Sequence, residues 1–158
     1  MGGNELKGAP HFCLGSSIHP EADFIEPQLM KFEKKVAAGA QFFQTQGIFE
    51  LSSLRRFMQY ASQLPVKILA GIIVLASARM ARYMNDNVPG IIVSQAIIDE
   101  LANVEKGKGL QKGIEIAARL IRAIREENLC HGVHIMAVGN ERIVPDILEA
   151  AQLVSVRQ

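Results

Sequence analysis

Cysteine is scarce: the 158 residues hold two, Cys13 and Cys130, and they are too far apart in sequence for a CxxC pair. That excludes the dense disulfide framework on which small secreted domains depend, and reduced thiols in a cytosol are the simplest reading. Net charge is nearly absent too. Lys and Arg number 17 against 16 Asp and Glu, a formal charge of +1, so no long-range field draws the chain to nucleic acid or to an anionic membrane. Long apolar runs are missing: none approaches the roughly 18 residues that suggest a membrane span, and the opening residues Met1 to Gly8 lack the apolar stretch of a signal peptide. A soluble, cytoplasmic protein is the expectation. No glycine-rich strand-to-helix loop carries a lysine; Glu105-Lys106-Gly107-Lys108-Gly109 lies between two helical segments and reads as a turn. A metal site is rejected as well, because His131 and Cys130 sit at an αβ turn and His134 opens an apolar strand, where it reads as a core histidine.

What is present is apolar material, 49% of the residues, enough to bury the core of one domain over residues 1–158. Short apolar runs alternate with longer segments of helical period, the rhythm of βα units feeding a parallel sheet. Strands are expected near 11–15, 41–46, 66–71 and 133–138, each as apolar as a strand buried on both faces. Between the first two, Pro27 sits near a helix start, Leu29, Met30, Phe32, Val36 and Ala40 recur at helical spacing, and Gly39 ends the helix. Ser52 or Ser53 is the expected start of the next, whose apolar face is Leu54, Phe57, Met58 and Ala61. Three helices, near 77–85, 94–104 and 110–128, precede the last strand, and one near 144–153 follows it.

The expected fold is therefore α/β: the C-terminal half of a (β/α)8 TIM barrel, about four βα units with extra helices before the last strand. Half a barrel leaves two open edge strands and an exposed interior, so a fragment, a split enzyme or an oligomer is expected, with a companion subunit or a homo-oligomer completing the barrel.

In such barrels, ligands bind where strands end and βα loops begin. The loop after the first strand carries His19 and Glu21, two titratable groups able to serve a phosphate, a ribose or acid–base chemistry. His19-Pro20 is equally ordinary turn chemistry. Gln44 and Gln46 alternate with apolar neighbours and so share one side of the second strand, facing either the interior or the helices. An amide offers both donor and acceptor, which suits the edge of a flavin or pterin, although a glutamine in a polar barrel layer serves the same pattern. Lys31, Lys34 and Lys35 line one surface of the first helix, a position ordinarily solvated.

Taken together, Ile18-His19-Pro20-Glu21-Ala22, then Lys34-Lys35-Val36-Ala37-Ala38-Gly39-Ala40, then Gln44-Thr45-Gln46 resemble the motifs of methylenetetrahydrofolate reductases at their usual spacing. The resemblance continues through Leu69-Ala70-Gly71-Ile72, Asn87-Val88-Pro89-Gly90 and Gly132-Val133-His134-Ile135-Met136-Ala137-Val138. It implies a TIM-barrel flavoenzyme in which NAD(P)H reduces bound FAD and the flavin passes a hydride to 5,10-methylenetetrahydrofolate, giving 5-methyltetrahydrofolate. By position, the resemblance implies that Gly15, His19 and Ala22 lie beside FAD, that Gln28, Lys31, Lys34 and Lys35 face its ribose and diphosphate, and that Gln46 binds the pterin of the folate.

Two departures from the family pattern stand out. Gln28 and Lys31 replace an acidic residue and an asparagine early in the helix, and Val138-Gly139-Asn140 replaces Leu-Asn-Arg after the last strand. Both resemble a divergent branch found in anaerobic bacteria, in which the reductase can work with companion subunits. The family's folate-protonating acid and flavin-tuning aspartate belong to the first half of the barrel, so no catalytic residue is assigned here. The alternative is a non-catalytic half-barrel subunit or binding module whose partner supplies the chemistry. An unrelated βα enzyme holding a phosphate after its last two strands is the weakest reading.

Overall fold

The computed structural model describes residues 8, 11–22 and 24–154. Four strands, β1 (Gly15–Ile18), β2 (Phe42–Gly47), β3 (Lys67–Ile73) and β4 (Gly132–Met136), form one sheet in the order β1-β2-β3-β4, all neighbours parallel. Helices α1 (Ile25–Ala37) and α2 (Leu51–Ala61) make the first two crossovers. Three helices, α3 (Ala78–Asn87), α4 (Gln95–Ala102) and α5 (Gly109–Glu126), fill the third, and α6 (Val144–Ala150) follows β4 after a 3-10 turn. This is the expected half of a (β/α)8 barrel, extra helices included.

One face of the sheet is packed by helices. Phe43 of β2 meets Phe32 of α1, ring centroids 4.5 Å apart, and Phe32 meets Phe57 of α2 at 5.3 Å, both edge to face. All three are fully buried, as are Ile68, Ala70 and Ile72 on the same side of β3. Period-two alternation then puts Gln44, Leu69 and Gly71 on the opposite, concave face. The register extends that face across the sheet, aligning Ser17 with Gln44, Gln44 with Leu69, and Gly71 with His134.

The first strand starts later than its apolar residues imply. Phe12 and Leu14, read as part of a strand at 11–15, are 71% and 49% exposed, and the pairing begins at Gly15 opposite Phe42. Gly15 has no side chain, and the Phe42 ring occupies the space a Cβ would need. The polar Ser16 and Ser17 take the edge position, where exposure costs them little. The other strands lie within three residues of expectation.

Glycine explains how α5 comes so close to the chain leaving β3. A Cβ on Gly109 or Gly113 would collide with the carbonyls of Ala76 and Leu75, so the helix needs glycine one turn apart on that face. The expected turn before α5 is present, closed by Lys108 N–H donating to Glu105 O at 3.0 Å with Gly107 at φ +89°. No helix among the described residues is long and apolar enough to cross a membrane, and both cysteines are free.

Candidate ligand site at the carboxyl ends of the strands

Strand β2 ends in a bulge between Gln44 and Gly47. Thr45, buried, holds it: its hydroxyl accepts the Gly71 amide at 2.8 Å and donates to the Gln46 carbonyl at 2.6 Å. Just beyond, Ile48 N–H donates to Gly71 O at 2.8 Å. Glycine at 71 is required, since a Cβ there would lie 2.5 Å from Thr45 O and 2.7 Å from Gln46 O. A bulge re-aims the residue it displaces, and Gln46 is exposed while Thr45 and Gly47 on either side are buried.

The loop leaving β1 runs beside this bulge. Pro20 and Glu21 are buried, and Oε1 of Glu21 accepts the amides of Phe49 at 3.1 Å and Glu50 at 2.9 Å, at the start of α2. The expected serine start of that helix is therefore corrected: Glu50 is its N-cap residue, makes no side-chain capping bond, and the acceptor comes from another loop. Burial pushes the Glu21 carboxyl above its usual pKa, and the two amide bonds oppose the rise.

His19 is half-buried against the loop between α3 and α4. Gly90, at φ +83°, presents its bare Cα to the imidazole: a Cβ would sit 2.9 Å from Cε1 and 3.2 Å from Nδ1. Next to it, Ile91 approaches Gly47 at the end of β2. Asn85 secures this loop by accepting the Val93 amide at 2.7 Å and donating to the Val93 carbonyl at 2.9 Å. The ends of β1 and β2 thus share one roof.

The sequence-predicted residues divide. His19 and Ala22 lie on the loop after β1, and Gln46 lies in the bulge at the carboxyl end of β2. Gly15 lies at the other end of β1, roughly 10 Å of strand away. On α1, Gln28 is half-buried and Lys31 and Lys34 are exposed, whereas Lys35 reaches the open edge of the sheet and donates its Nζ to Ser17 O at 2.6 Å. That bond ties Lys35 of α1 to β1.

Sequence reasoning missed three parts: Thr45 as the bulge lock, Glu21 as the cap of α2, and the contact of Gly90 with His19. A threonine between two glutamines was a visible signal for the first; nothing local marks the other two. His134 also needs correction. It is half-buried, aligned with Gly71 on the concave face, because β4 is an edge strand with no neighbour beyond it among the described residues.

A cleft of about 430 Å³ lies at the other end of the sheet, lined by Met58, Ser62, Asn128, Leu129, Cys130 and His131. Nδ1 of His131 accepts the Ile68 amide at 3.2 Å, and burial together with Lys67 lowers its pKa. This histidine finishes the sheet where β4 has not yet begun. Among the described residues no three His, Cys, Asp or Glu side chains gather as metal ligands.

Comparison with known proteins adds the following. A family model described as methylenetetrahydrofolate reductase matches residues 7–152. A Caenorhabditis elegans protein described as probable methylenetetrahydrofolate reductase (NADPH) is 25% identical over 150 residues, covering 89% of this chain and 22% of the relative. Among solved structures, an uncharacterized Clostridium thermocellum protein that binds two copies of 5-methyl-5,6,7,8-tetrahydrofolic acid aligns with a TM-score of 0.57 at 18% identity, over 89% of this chain and 53% of that one. The chain thus spans about a fifth of the curated relative and about half of the solved structure.

Proposed function

Because the chain belongs to the methylenetetrahydrofolate reductase family, we propose that it forms the C-terminal half of a flavin-dependent folate reductase, in which FAD carries a hydride from NAD(P)H to 5,10-methylenetetrahydrofolate and 5-methyltetrahydrofolate is the product. The observation that carries this reading is the bulge at Thr45, which turns one amide side chain, Gln46, out at the carboxyl end of a barrel strand where ligands of this fold bind. A primary amide pairs with the donor and acceptor edge of a pterin. The folate-binding Clostridium thermocellum neighbour is consistent with that choice of ligand.

The residues present suit one side of FAD. Lys31 and Lys34 offer exposed ammonium groups on the helix beside β1, and the diphosphate is the part of the cofactor they would hold, with Gln28 toward the ribose. His19, backed by Gly90, and Ala22 would flank the cofactor from the β1 loop. Lys35 serves the strand through Ser17. When bound, the flavin would supply the two-electron chemistry; these side chains bind and orient.

A second reading has its own observation. Strands β1 and β4 each pair on one side among the described residues, and Phe12, Leu14, Phe24 and Met30 are exposed along the β1 and α1 side. Open parallel edges and apolar surface call for cover. In this reading the chain is a non-catalytic half-barrel subunit that acts once further barrel strands, on a companion or a second copy, lie against those edges.

The test is a visible spectrum of the purified chain before and after adding FAD, with its mass in solution. Flavin bands on an oligomer, with 5-methyltetrahydrofolate binding by calorimetry, support the reductase reading. Colourless protein that ignores FAD and binds no folate overturns it and leaves the subunit. The isolated chain is expected to show no NADH-dependent reduction of menadione or methylenetetrahydrofolate; turnover would show that the chain needs no other half.

A further inference from the structure

Glu21 is 6% exposed although it stands on a loop leaving a strand. Its Oε1 accepts two backbone amides 28 and 29 residues away, those of Phe49 and Glu50. These lie at the start of α2, whose own N-cap residue contributes no side-chain bond. Orphan amides at a helix start need acceptors, and a carboxylate there also meets the positive end of the helix dipole. The second oxygen, Oε2, is buried with no protein partner among the described residues. Burying a carboxylate is costly, and a neutral serine or threonine would serve as a merely structural cap at less cost.

What the arrangement adds is a tie between two loops. One is the β1 loop with His19 and Ala22; the other follows the Gln46 bulge of β2 and runs through Ile48 to α2. Ile48 is itself bonded to Gly71, the residue whose amide Thr45 accepts. A shift of the α2 start therefore reaches the bulge within two residues.

Resting on the reading that these loops serve a cofactor and a folate, we propose that Glu21 is a positioning residue: it holds the His19 loop and the Gln46 bulge at one separation, so that losing its acceptor oxygen weakens both ligands together. The variants Glu21→Ala and Glu21→Gln test this, since the glutamine amide oxygen still accepts both amides. Ile147→Ala, a fully buried site in α6, serves as a destabilised control remote from the loops. Calorimetry with FAD and with 5-methyltetrahydrofolate is expected to show Glu21→Ala about tenfold weaker for each, Glu21→Gln within about threefold, and Ile147→Ala unchanged. Wild-type affinity in Glu21→Ala, or an equal loss in Ile147→Ala, overturns the proposal.

Amide exchange by NMR separates this from the functional reading. If the wild-type chain binds neither ligand, that reading fails by itself. The tie still stands if Glu21→Ala speeds exchange at Phe49 and Glu50 and shifts the His19 and Gln46 resonances while Glu21→Gln does neither. Unchanged exchange and resonances in Glu21→Ala refute it.

Discussion

The hydroxyl of Thr45 accepts the amide of Gly71 at 2.8 Å, and this one bond couples the bulge of β2 to the middle of β3. Thr45→Val keeps the shape and removes the bond, leaving a buried N–H without an acceptor. The expected loss is about 1–3 kcal/mol of unfolding free energy by urea titration, with Thr45→Ser recovering most of it. Valine at no cost would mean that the bulge holds itself.

Gly90 meets His19 where an ordinary side chain would collide, and its φ of +83° is one that L-residues rarely adopt. Gly90→Ala is expected to destabilise the chain by about 1–2 kcal/mol and to move the His19 ring resonances. A stable variant with an unmoved imidazole would show that the loop relaxes freely.

Stability should respond to pH through Glu21 with a definite sign. Burial raises its folded pKa above the ordinary 4.5, so the folded state holds the proton more tightly. Its contribution is full below the unfolded value and lost as pH rises through the folded one. Unfolding free energies of wild type minus Glu21→Gln should therefore fall as pH climbs from about 4 toward neutrality. Glu100 acts in the opposite sense: the Arg119 guanidinium lowers its pKa, and its contribution is lost as pH falls. A difference that rises with pH would refute the Glu21 assignment.

Phe57 is fully buried against Phe32 between two crossover helices. Phe57→Ala is expected to cost about 3–5 kcal/mol, enough to leave a domain of this size near its unfolding threshold at room temperature. Circular dichroism through a thermal ramp checks this, and a loss of a few degrees or less would mean that the core collapses around the gap.

Much of the fold was legible because burial writes itself into the chain. Strands β2 and β3 are apolar on a buried sheet, α5 carries its stripe at Ile114, Ala117, Ala118, Ile121 and Ile124, and each takes nearly its expected place. The motif around His19 and the pair Gln44 and Gln46 likewise pointed to strand ends. Edges were less legible. Phe12 and Leu14 are as apolar as any core strand yet lie exposed, and Ser16 and Ser17 form the strand instead, because an edge strand is chosen by its pairing partner and by the room Gly15 leaves for Phe42.

The sequence by itself determined the α/β class, the parallel order of units and the family, since these rest on periodicity and on motifs read in one dimension. Tertiary structure alone decided that Glu21 caps α2, that Gly90 receives His19, that Lys35 binds the edge of β1, and that His134 faces the concave side. Each joins residues from 18 to 71 positions apart, and hydrogen bonds and steric exclusions over such separations exist only once the chain has folded.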